Sequence, residues 1–258
     1  MKVRSLALAA IAVTSFGAQA ALVYDASVTN NVIMGTGILN GGFTVNTAGG
    51  VEVGLRARER YDMATNSPTN VTGSNGDGTY NQNAGEPPGF GGAGQNRARW
   101  NFDWSINTGT ANVGSYTYRL GIDFDAGVGT NFQVFDPITL ACADHSFGNN
   151  GTAQSAGTEV AACLNAGDAA AYAALVAGNN LVQNSWNMDF FDDATFTFDP
   201  TANGNYSIFL EAISANGAVS RSDITVIVGT GATVPEPASL ALIGVALAGL
   251  AASRRRKA

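Results

Sequence analysis

The sequence predicts an all-β protein, two antiparallel sheets packed as a sandwich with long loops and one short helix. Three observations predict it. Apolar and polar residues alternate with period two over runs of nine to eleven residues, the pattern of strands with one face buried. Two runs near the end, 205–213 and 219–228, flank Ser214-Ala215-Asn216-Gly217, a hairpin turn. Only one stretch carries both a helix start and a helix stop.

In chain order, weak strands are expected at 22–28 and 42–45. In 51–61, Val51, Val53, Leu55 and Ala57 oppose Glu52, Arg56, Arg58 and Arg60. Residues 63–96 are rich in Gly, Asn and Pro and read as a long irregular loop, the kind that carries function or moves. In 99–107, Trp100, Phe102, Trp104 and Ile106 share one face. In 116–125, Tyr116, Tyr118, Leu120, Ile122 and Phe124 do the same. Further strands are expected at 131–135 and 195–198. Asp168 can cap a helix over 169–177 that Gly178 ends.

The ends are not part of this fold. Lys2 and Arg4 precede the apolar stretch 6–16, and Ala18-Gln19-Ala20 gives small-x-small before Ala21, a secretory signal peptide over 1–20. The other end carries Val234-Pro235-Glu236-Pro237, then sixteen weakly polar residues, 238–253, then Arg254-Arg255-Arg256-Lys257. A helix over 238–253 would be roughly 24 Å long, short of a ~30 Å hydrocarbon core. Snorkelling of the basic cluster and local thinning close that gap, with the cations on the cytoplasmic side. The chain therefore divides into a leader (1–20), a β-sandwich domain (21–230) and a C-terminal segment (231–258) with a transmembrane helix at 238–253.

Two of the thirteen basic residues lie in the leader and four in the tail. Seven arginines remain between them against all twenty acidic residues, a net charge of −13. Such a chain is repelled by nucleic acid and by anionic lipid, and nucleic acid is not among its expected partners. Cys142 and Cys163 are the only cysteines. In an oxidising compartment they read as one disulfide closing a loop of about 20 residues, contributing roughly 3 kcal/mol. A redox or metal pair is the alternative, and it lacks supporting ligands.

Tyr206 follows the turn Asp199-Pro-Thr-Ala-Asn-Gly204 at the start of the penultimate strand. That arrangement resembles the tyrosine corner of immunoglobulin-like sandwiches, in which the phenol bonds back to upstream backbone. The resemblance implies an immunoglobulin-like topology without the Trp-disulfide hallmark of antibody domains.

The C-terminal motif, apolar helix and basic cluster together resemble the PEP-CTERM sorting signal of exported bacterial proteins. The segments Asn40–Val45, Gly54–Arg58, Trp104–Asn107, Thr130–Phe132, Phe135–Pro137 and Asn184–Asn187 are similar to those of a set of such proteins. The resemblance implies an exosortase-type membrane enzyme as processing partner and exopolysaccharide as a possible matrix partner. It also implies transient residence in the inner membrane before delivery to the cell surface or medium. It implies no catalytic residues.

The remaining residues offer little chemistry. His145 is the only histidine, and its neighbours Asp144 and Ser146 are too close in sequence to form a triad with it. Calcium is the one cofactor for which ligands are at hand. Asp123, Asp125 and Asn131 place oxygens at alternate positions around glycines 127 and 129, although the spacing is not that of an EF-hand loop. The plainer reading is solvated turn carboxylates, or carboxylates paired with Arg119. Arg56, Arg58 and Arg60 could grip an acidic polysaccharide, but cross-strand pairing with Asp103, Asp123 or Asp125 fits them better. The expected function is a non-catalytic surface or matrix protein. A carbohydrate- or calcium-binding module and a glycosidase using Asp189 and Asp193 are the alternatives.

Overall fold

A computed structural model describes residues 20–33, 38–60, 62, 69–87, 96–140, 144–160 and 167–232. The leader up to residue 19, the tail from 233 and both cysteines lie outside the described residues. Among those described, no helix is long and apolar enough to cross a membrane.

The alternating runs become strands that build two sheets. One contains β1 (Val23–Ala26), β2 (Phe43–Ala48), β3 (Val51–Glu59), β5 (Trp100–Asn107), β10 (Leu181–Trp186), β8 (Ser146–Gly148) and β9 (Thr158–Glu159), in that spatial order and antiparallel throughout. The other contains β4 (Thr79–Gln82), β12 (Gly217–Val228), β11 (Gly204–Ser214), β6 (Thr117–Asp123) and β7 (Phe132–Phe135). It is antiparallel except for the β4–β12 pair, which is parallel.

Both sheets contribute their inward faces to one core. Val53, Leu55, Trp100, Phe102 and Trp104 meet Tyr206, Ile208, Leu210, Ile224 and Val226. Burial of these side chains contributes about 1.5–3 kcal/mol each and pins strand register, because a one-residue slip would expose a whole face.

The strands β5 and β10 also have buried outer faces, and these are polar. Asn101, Asp103, Ser105, Gln183 and Asn187 are all buried. The cover includes 28–33 and 38–41, held by side chains of the sheet. Gln183 accepts from the Val32 amide at 2.7 Å and donates to the Asn30 carbonyl at 2.5 Å. Arg56 donates to the carbonyls of Leu39 (2.9 Å) and Gly41 (2.5 Å). These bonds replace the water that the groups making them lose, which is why a polar face can be covered at all.

Four expectations needed revision. The expected strand 195–198 is a turn, because Asp193 accepts from the amides of Thr195 (2.6 Å) and Phe196 (2.8 Å) and Asp192 accepts from that of Phe198 (3.1 Å). Side-chain acceptors there compete with a ladder. The stretch 63–96 is not wholly irregular, since β4 forms inside it. The strands β8 and β10 were not anticipated. The helix α1 (Asp168–Gly178) is capped by Gly167, with Asp168 in its first turn, and ends at Asn179.

Candidate functional site

Asp123 closes β6 and spends its carboxylate on its own loop. Its Oδ1 accepts from the amides of Asp125 (3.0 Å) and Asn131 (2.7 Å), and Asp125 Oδ1 accepts from Gly127 (2.8 Å). Phe124 and Asn131 are joined through backbone at 3.0 Å. The carboxylates thus shape the β6–β7 turn. Asp123 Oδ2 is buried without a hydrogen-bond partner among the described residues. Among the described residues no three His, Cys, Asp or Glu side chains cluster as a metal site.

The other two carboxylates of interest are also committed. Asp189 Oδ2 binds Arg97 Nε at 2.9 Å, and burial shifts its pKa upward against that pairing. Asp193 is the turn acceptor described above. His145 is fully buried among Trp104, Trp186, Phe147 and Tyr172, with the Trp104 ring edge-on at 4.9 Å. Its Nε2 lies 2.8 Å from the Pro137 carbonyl and its Nδ1 3.0 Å from Asn184 Nδ2. These partners specify a neutral ring that donates from Nε2 and accepts at Nδ1. Burial pushes its pKa down to about 4.

The arginines of β3 point into the sheet's covered face. Arg56 and Asp103 are register partners, and Asp103 Oδ2 accepts from Arg56 Nε and Arg58 Nε, each at 2.8 Å. Burial alone would raise the Asp103 pKa, but Arg58 and Arg56 hold it below the usual carboxylate range. The Arg56 guanidinium also lies 4.2 Å over the Phe43 ring. Cross-strand pairing is therefore the role of these two side chains, and neither reaches solvent. Arg119 pairs with Glu211 at 3.5 Å and not with the 123–131 loop.

Tyr206 lies two residues into β11. Its ring packs against Trp100 (6.1 Å) and Phe198 (5.7 Å), and burial raises its pKa to about 12. Among the described residues its hydroxyl makes no hydrogen bond to the 199–204 backbone. A bond of the expected kind occurs at Tyr118, whose hydroxyl donates to the Val113 carbonyl five residues upstream at 2.7 Å.

Sequence reasoning missed a groove of about 340 Å³ on the outer face of the five-stranded sheet. Phe209 occupies an outward position there. Phe132 meets it edge-on at 5.3 Å, and Arg221 lies 4.0 Å above it while held by Asp223 through Nε at 2.9 Å. Gly121, the register partner of Phe209, leaves room for its ring, and a Cβ there would overlap it. Tyr24 is 40% exposed and leans over Gly78 at the other end. The available signal was Phe209 itself, an aromatic out of phase with the inward series Tyr206, Ile208, Leu210.

The described chain ends lie at opposite poles of β12. The Ala20 carbonyl accepts from Asn46, which also accepts from Ser220 near the start of the strand. The Ala232 amide is held by Asn205 at 3.2 Å beyond its far end. Eight residue steps along the strand lead from Ser220 to Val228, about 26 Å.

Residues 233–257 match a family model, the PEP-CTERM protein-sorting motif. No curated protein and no solved structure matches the chain. The motif includes Val234, Pro235, Glu236 and Pro237 and the cluster Arg254 to Lys257, all outside the described residues, and it implies export and handling by an exosortase-type membrane enzyme. The chain is a PEP-CTERM domain-containing protein.

Proposed function

We propose that the protein is a non-catalytic cell-surface or extracellular-matrix component, delivered by exosortase-type sorting and presented on an immunoglobulin-like sandwich. The observation that carries this reading is the sorting motif at 233–257. The separation of Ala20 from Ala232 supports it, because a leader peptidase and a tail-processing enzyme would work at opposite poles without obstructing each other. The strand order supports the topology. The run β3-β5-β10-β8 follows the order A-B-E-D and β12-β11-β6-β7 follows G-F-C-C′, both antiparallel. Support for a non-catalytic role comes from the side chains themselves. His145 is sealed in the core with both ring nitrogens bonded, Asp189 is paired with Arg97, and Asp193 holds a turn.

The test is the intact mass of the native protein in membrane, periplasm and medium fractions of its own host. The expected species begins at Ala21, ends within 234–237 and lies outside the inner membrane. A membrane species retaining Arg254 to Lys257 would make the tail a plain anchor.

A second reading, calcium at the 123–131 loop, is favoured by one observation, the buried and unpartnered Asp123 Oδ2. Carboxylate oxygens desolvated in this way are suited to a hard cation. On that reading, millimolar calcium raises Tm, EDTA reverses the rise, and Asp123→Asn abolishes it; an unchanged Tm in the native protein removes it.

A further inference from the structure

We infer that the groove across the outer face of the five-stranded sheet is a binding site for a neutral glycan strand. Its floor is one row of register partners. Phe132 of β7 pairs with Asp123 of β6, Ser207 of β11 pairs with Thr225 of β12, and Thr225 pairs with Thr79 of β4. The β6–β11 register, Ile122 with Ile208, brings the two halves of the row together. Four inter-strand steps of ~4.8 Å give a trough of about 19 Å. Long enough for several sugar units, it crosses the strands at right angles.

The lining matches what a sugar chain presents. At one end the Phe132 ring is half-buried, and at the other the Tyr24 ring projects over Gly78. Such faces stack against the C–H faces of pyranose rings, and Tyr24 adds a hydroxyl at the rim. Between them, Ser207 and Thr225 offer hydroxyls that both donate and accept. The Asp223 carboxylate stands beside them, fixed by Arg221. A few placed polar groups among apolar surfaces is the general composition of a small-molecule site.

Charge selects among glycans. Two guanidiniums lie over Phe209, Arg221 at 4.0 Å and Arg119 at 5.8 Å, and each is paired with a carboxylate, Asp223 and Glu211 respectively. Asp77 at the rim adds a carboxylate whose pKa is held low by the Thr79 hydroxyl and amide. The rim is thus net negative on a strongly acidic chain, and uronic-acid or sulfated polymers are repelled. The strand that fits is uncharged.

This inference is independent of sorting. Failure of tail processing would leave the groove unchanged, and absence of sugar binding would leave the tail's role untouched. The experiment is calorimetric titration of the exported protein, purified from its host, with cellohexaose, laminarihexaose, chitohexaose and hexagalacturonate. At least one neutral hexamer is expected to bind and hexagalacturonate is not. Tyr24→Ala and Phe132→Ala are each expected to weaken that binding about tenfold, and Tyr24→Phe to retain most of it. Tyr24 lies outside the core, so its truncation should leave Tm unchanged and its effect readable even if Phe132→Ala folds poorly. No heat with any neutral hexamer, tighter binding of hexagalacturonate, or a Tyr24→Ala variant that binds like the native protein would each overturn the assignment.

Discussion

Asp103→Ala is expected to destabilise the fold by about 3–5 kcal/mol, measured by urea denaturation at neutral pH. One carboxylate oxygen holds two guanidiniums whose side chains are at most 1% exposed. Removing it leaves two buried cations facing each other. Breaking a buried pair costs far more than the pair contributes, because the surviving charge has lost its water and gained nothing. Here the penalty extends beyond the triad. Arg56 also holds the carbonyls of Leu39 and Gly41, and Arg58 holds the Thr69 carbonyl at 3.1 Å. A repelled guanidinium pair would loosen the cover over β5 along with the core beneath it. Replacing all three residues together, Arg56→Met, Arg58→Leu and Asp103→Leu, should recover part of the loss, since no charge is then left unpaired. A loss below about 1 kcal/mol in Asp103→Ala would mean that water reaches the guanidiniums and that the covered face is open.

The central strands were legible because their inner faces obey period two without exception. Trp100, Phe102, Trp104 and Ile106 all enter the core. What that reasoning could not anticipate is that their outer faces are covered too. Asn101, Asp103 and Ser105 look like solvent-facing residues, and nothing in a local pattern distinguishes a polar group facing water from one facing a strap 70 residues away in sequence. The same limit explains β10. Leu181, Val182, Gln183 and Trp186 are buried on both faces, so alternation disappears and the strand reads as an irregular Asn-rich segment. The strand β4 is hidden differently, being four residues long and stabilised by a parallel partner some 146 residues away.

The chemistry was legible in inverse proportion to its distance in sequence. The sorting motif is contiguous, so its residues could be named directly. The Arg56–Asp103 pair could be named as one of three options, because strand faces were known but strand neighbours were not. The groove could not be assembled from the sequence beyond the single out-of-phase Phe209, since Tyr24, Phe132, Phe209 and Asp223 come from four strands whose adjacency is a property of topology. Turn carboxylates are the opposite case. Asp123 and Asp125 are conspicuous in the sequence as candidate ligands and Asp193 as a candidate catalytic carboxylate, yet each bonds backbone amides within eight residues of itself. Local partners always compete first for such side chains.

Acid should destabilise the protein through His145 by about 3 kcal/mol between neutral pH and pH 4. In the unfolded chain the ring takes up a proton near pH 6.5, whereas in the fold it does so only near pH 4. Between those values the unfolded state binds more protons, so stability rises with pH across that window and falls as pH drops through it. The full contribution of the neutral ring is present above pH 6.5, and the loss levels off below pH 4. Among the described residues no cation faces the ring to alter this sign. Asp144 adjoins it, Asp136 lies beyond Tyr172, and the rings of Trp104, Trp186, Phe147 and Tyr172 surround it. Protonation would break the bond that Nδ1 accepts from Asn184 and place a charge among aromatic rings with no water to solvate it. His145→Gln removes the titrating group, and other carboxylates titrate equally in both proteins. The difference between the two urea-denaturation profiles should therefore be constant above pH 6.5 and narrow towards pH 4, with the native protein losing its advantage. Parallel profiles would show that the ring reaches solvent when charged, and the sealed packing of β5, β8, β10 and α1 around it would have to be revised.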